Sequence, residues 1–232
     1  MTLGEILEPK SSVIGRYAWW SAWVGLIGGQ LHALSRYETA DGKEDLELSL
    51  TAAWAEPAAD LLRPLLDWGD PDLVYVTYGK LWLPVFLGFL LCALVVQHRR
   101  RPRGFEKWAW RAAITGYTLA TAFVTLSYWT QWTGEYTALF DVAFVLGLPG
   151  LLLMLIGSSV LGIALLRNRF SPRASALLLL GAFPLALVIT QVTSLGSVSL
   201  PIAFAFALCG RELARDDMPD AARDRRPVDS TL

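Results

Sequence analysis

Charged residues make up only 18% of the 232 positions, and histidine and cysteine occur twice each. A chain so poor in charge and 54% hydrophobic cannot coat an ordinary water-soluble surface, and it is equally far from a disordered composition. Two cysteines exclude a disulfide scaffold, and nineteen glycines without a period exclude a collagen-like fold. The familiar catalytic motifs are missing: there is no GxSxG elbow, no HExxH, no P-loop and no GxGxxG after a strand. Gly157, Ser158 and Ser159 have no histidine beyond His98 to serve as a base, which argues against serine proteolysis. Paired aspartates that could hold magnesium and a diphosphate are absent as well, which argues against a prenyltransferase.

What is present is a series of long apolar runs, read as membrane spans at 17–34, 81–97, 108–129, 138–166, 174–193 and 195–209. The expected fold is therefore all-α, a polytopic transmembrane helical bundle of about six spans. The fourth run exceeds a hydrocarbon core of ~30 Å and should tilt or bend near Gly147, Pro149 and Gly150, whereas the sixth is short. A re-entrant sixth segment is the alternative. Lys10 and Arg16 ahead of the first run loosely suggest a secretion signal, but Trp19, Trp20, Trp23 and Gln30 favour a retained span.

Orientation follows from the basic residues. The 98–107 connection holds Arg99, Arg100, Arg101, Arg103 and Lys107, and the 167–173 connection holds Arg167, Arg169 and Arg173. The 35–80 loop instead carries ten acidic residues against Arg36, Lys43, Arg63 and Lys80. With residues 1–16 and a disordered 210–232 tail in the cytoplasm, sixteen of twenty Lys and Arg lie inside. The expected location is the cell inner (plasma) membrane with both termini cytoplasmic. The net charge of −1 conceals this asymmetry.

The outer loop predicts two short amphipathic helices between Leu46 and Trp68, broken near Pro57, with Asp60, Arg63 and Asp67 toward water. Asp70 and Pro71 read as the start of a helix that enters the second span early. Gly25 with Gly29, and Ser158 with Gly162, form small-xxx-small pairs suited to packing within the chain. Cys92 and Cys209 are expected to be packing residues.

The run Leu161–Gly162–Ile163–Ala164–Leu165–Leu166–Arg167, followed by Arg169, Pro172, Arg173 and an apolar stretch ending at Gly181, resembles a pattern in uncharacterised multi-pass membrane proteins of bacteria and archaea. Asp70–Pro71–Asp72, Tyr75 and Tyr78–Gly79–Lys80–Leu81 look like the entry to an earlier span in the same pattern. The resemblance implies the six-span bundle and carries no activity or functional residue.

Polar groups collect at the outer ends of the spans: Gln30, His32, Arg36, Tyr78, Lys80, Tyr128, Gln131, Glu135, Asp141, Thr190, Gln191 and Thr193. Asp141, followed by Val142, Ala143, Phe144 and Val145, needs a partner at that depth, and His32 or Arg36 are its natural candidates. Two readings follow. In one, Gln30, His32, Arg36, Tyr128, Asp141 and Gln191 bind a ligand in the outward pocket of a non-enzymatic accessory, sensing or small-transport component. In the other, Asp141, Glu135 and His32 act as acid and base on a lipid or isoprenoid. The bland account of Asp141 places it at a helix N-terminus among interfacial water. No metal or cofactor is expected. The expected partners are membrane lipids and a membrane partner subunit, and the arginine cluster lacks the folded basic domain that nucleic-acid binding requires.

Overall fold

A computed structural model describes residues 3–133 and 137–216. Among the described residues the chain is helical throughout, with no strand. After α1 (Leu3–Leu7) and a 3-10 turn comes α2 (Ser11–Glu38), longer at both ends than the expected first span because those ends are packed, with Ser11, Ile14, Gly15, Ser35 and Tyr37 buried. The 43–80 region holds α3 (Ser49–Leu66) and α4 (Pro71–Gly79). As the sequence predicts, the Asp70 carboxylate caps α4 by accepting from the Asp72 and Leu73 amides, with Pro71 in the first turn.

A tight turn joins α4 to α5 (Trp82–Arg100). Pro84 has no N–H to give the Lys80 carbonyl four residues back. That carbonyl accepts instead from the Leu83 amide at 3.3 Å and the Trp129 indole at 3.0 Å. Then follow α6 (Gly104–Val124), a π-helical turn at Thr125–Trp129 and α7 (Ala138–Arg167), which continues through Pro149. The final elements are α8 (Arg173–Leu180), α9 (Ala182–Ile189), a 3-10 turn at Leu195–Ser199 and α10 (Leu200–Asp216). Among the described residues, three helical stretches are long and apolar enough to cross a membrane: Pro71–Arg100, Ala138–Arg167 and Leu195–Arg215.

Three expectations are corrected. The amphipathic segment is one helix, since α3 runs unbroken through Pro57 and Pro64. Its Ala55 and Leu66 bury against Ala33, Leu34 and Tyr37 of α2 on both sides of Pro57, so tertiary packing outweighs the local break. Asp60 and Arg63 do face water, joined at 2.8 Å. The expected fifth span is interrupted at Gly181, three residues before Pro184, and the Phe183 amide at the break donates to Ser159 Oγ of α7. The last helix does not stop at Cys209 but reaches Asp216, so the part of the expected disordered tail that is described is helical. Residues 217–232 lie outside the described residues.

Helix α2 packs along α10 and α5, α6 along α7, and α8 against α7 and α10. The α2–α10 crossing is close enough that a Cβ on Gly15 or Gly210 would strike the other's backbone, a contact only glycine allows. Both cysteines are buried and free. Phe89, Trp110, Tyr117 and Phe206 fill the core around Cys92, and Tyr117 shares a 2.9 Å hydroxyl bond with Ser158. At the end holding the 98–107 connection, Glu106 is buried and accepts from Arg100, from Asn168 at 2.5 Å and from Trp110 at 3.3 Å. Arg99 bonds Glu8 and Ser11 there. Part of the arginine cluster therefore clamps helices together.

Candidate functional site

At the opposite end of the helices, α2, α4, α5, α6 and α7 surround a cavity of about 720 Å³. His32 and Ser127 line it, each with 1% of its surface exposed. The position of His32 one turn before Arg36 puts both on the α2 face toward the cavity. The imidazole stacks on Tyr75 of α4 at 4.7 Å between ring centres and meets Tyr128 edge-on at 5.3 Å. The Tyr75 and Tyr128 hydroxyls lie 3.1 Å apart. Tyr128 covers Gly79, where a side chain would collide with its ring.

The indole of Trp82 in α5 donates to His32 Nδ1 at 3.1 Å. An indole N–H can only donate, so Nδ1 must be an acceptor and the ring proton sits on Nε2. Among the described residues Nε2 has no partner, although it is buried. The same holds for the hydroxyls of Ser127, Thr193 and Ser194, and all four residues line the cavity. Buried polar groups are nearly always satisfied, so four residues with unpartnered atoms on one cavity ask for a polar occupant. Arg36, 6.0 Å from the Tyr75 ring centre, and Asp41 bring opposite charges to the wall.

Of the six ligand-binding residues expected from sequence, His32, Arg36 and Tyr128 line this cavity, as do Thr190 and Thr193. Gln30 does not, and its side chain bonds the Leu26 carbonyl of its own helix at 3.5 Å. Gln191 is exposed, and its backbone carbonyl accepts from Thr51 of α3 at 3.3 Å. Trp54 donates to the neighbouring Val192 carbonyl, so Gln191 and Val192 anchor α3 between the cavity-lining Thr190 and Thr193. Gln131 is buried and holds Thr137 across the 131–137 connection. The backbone of Asp141 lies in the first turn of α7, while its side chain and the whole of Glu135 lie outside the described residues.

Tyr75, Trp82, Ser127 and Ser194 belong to the site but were not singled out in the sequence. In the sequence Tyr75 stands out only as part of a span-entry pattern, and Trp82, Ser127 and Ser194 do not stand out. Among the described residues no three His, Cys, Asp or Glu side chains converge as metal ligands. The arrangement offers a fixed donor, several hydroxyls and an apolar wall, which is the chemistry of a binding pocket. No known protein family, curated protein or solved structure matches this chain.

Proposed function

We propose that the chain is an integral membrane protein of six spans that binds a ligand in an outward-facing pocket, as a non-enzymatic sensing, accessory or small-transport component. The spans are α2, α4 with α5, α6, α7, the interrupted α8–α9 pair, and the Leu195–Arg215 segment, with both termini cytoplasmic in an inner membrane. Arg99, Arg100, Arg101 and Arg103 at one end and the acidic 35–80 loop at the other support that orientation. The single observation carrying the binding function is that four residues with a buried, unpartnered polar atom, His32, Ser127, Thr193 and Ser194, line one cavity. What favours binding over turnover is the Nδ1 partner of His32: an indole donor holds the ring neutral, whereas acid–base catalysis uses a carboxylate there to stabilise the imidazolium.

Native mass spectrometry of the protein released from its own membrane tests this. A bound species retained by the wild type and lost from His32→Phe is expected. A wild type that emerges empty, and that no added membrane extract stabilises against heat, contradicts a binding function.

A further inference from the structure

The cavity wall has a direction that the binding function alone does not use. Along α6 and its π-helical turn, Ala120 and Val124 precede Ser127 and Tyr128, so the lining turns from apolar to polar over about 12 Å of helix. On α5 the order repeats, with Trp82 and its His32 bond one turn before Phe86, whereas the α7 residues on the wall are the apolar Phe140, Phe144, Val145 and Leu151. Thr193, Ser194 and Val198 line the cavity as well. Phe144 and Val145 line the cavity while remaining 45% and 69% exposed, so this wall is continuous with an outer surface of Val142, Leu148 and Leu152. A hydrocarbon phase can supply an occupant from that side without a passage through water.

We propose that the pocket takes a membrane amphiphile: one hydrocarbon chain against Phe86, Ala120 and Leu151, with an oxygen-bearing head group that accepts a hydrogen bond from His32 Nε2. This rests on the reading of the cavity as a ligand site. The volume is of the size that encloses one drug-sized ligand, ~300–1,000 Å³, which suits one chain and not a whole diacyl lipid. His32 Nε2–H can only donate, and Ser127, Thr193 and Ser194 can donate to the same head. Arg36 and Asp41 both line the cavity with opposite charge, so the head-group assignment rests on the hydrogen-bond donors. The required chemistry is therefore a hydrogen-bond-accepting oxygen carried on a chain, for which a carboxylate is the probe.

Three probes separate the possibilities on the full-length protein in nanodiscs: a hexadecanoate with a terminal diazirine, a trimethylammonium amphiphile of the same chain and diazirine, and radiolabelled inorganic phosphate. The hexadecanoate should crosslink to peptides holding Ala120 and Leu151, and the ammonium amphiphile at least tenfold less. His32→Phe should lower hexadecanoate labelling about tenfold, the loss of one hydrogen bond in an apolar site. Leu151→Trp, which fills the apolar end and leaves the head contacts alone, should abolish it independently. Equal labelling by both amphiphiles overturns the head-group assignment. Phosphate binding that depends on His32, with no chain crosslinked, overturns the amphiphile and leaves the ligand site standing. Failure of all three probes overturns both.

Discussion

Trp82→Phe removes the only described hydrogen-bond donor to His32 Nδ1 while keeping an aromatic ring in place. A buried nitrogen then loses its partner, which costs about 1–3 kcal/mol. The lost distal atoms of the indole leave a gap beside Gly29 and Gly196, both of which abut that part of the ring and have no side chain to fill it. That adds about 1 kcal/mol. A total of about 3 kcal/mol lowers the melting temperature of a chain of this size by about 6–12 °C. The assay is built into the protein, since Cys92 and Cys209 are free and buried and a thiol-reactive fluorophore lights up only on unfolding. Trp68→Phe, at an exposed indole, is the control and should stay within about 0.5 kcal/mol. Imidazole nitrogen NMR supplies the second readout: in the wild type, His32 carries its proton on Nε2. Trp82→Phe melting with the wild type, or a protonated His32 Nδ1 in the wild type, refutes the hydrogen-bond assignment.

Glu106→Ala strands Arg100 and removes the acceptor shared by Asn168 and Trp110. Glu106 is 6% exposed and Arg100 24%, so the expected loss is about 3 kcal/mol, read by the same thiol assay. Gly210→Val pushes a branched side chain against the Gly15 backbone and should cost about 3 kcal/mol by overpacking the α2–α10 crossing. A variant that melts normally in either case shows that the corresponding contact does not hold the helices together.

The sequence exposed much of this architecture because its signals are local. Asp70 followed by Pro71 marks a helix start wherever it falls, and long apolar runs mark helices through residues 71–100, 138–167 and 195–215. What it could not show depends on distant partners. Pro57 reads as a break until Ala55 and Leu66 are seen packed on α2, and Gly181 becomes a break because Ser159 of α7 accepts the freed Phe183 amide. For the site, helical spacing brought His32 and Arg36 to one face, and both line the cavity. Gln30, two positions before His32, points elsewhere for the same geometric reason. Trp82 carried no sign of its role, since fifty positions separate it from His32 and a tryptophan at a span entrance looks like an interfacial anchor.

The proposed outward-facing ligand pocket is tested most directly by Thr190→Cys. Thr190 lines the cavity, and the native cysteines are buried enough to stay silent. In intact cells a membrane-impermeant thiol reagent should modify this cysteine, and prior exposure to hexadecanoate should protect it. Modification only after the membrane is permeabilised would place the cavity on the cytoplasmic side and contradict the account.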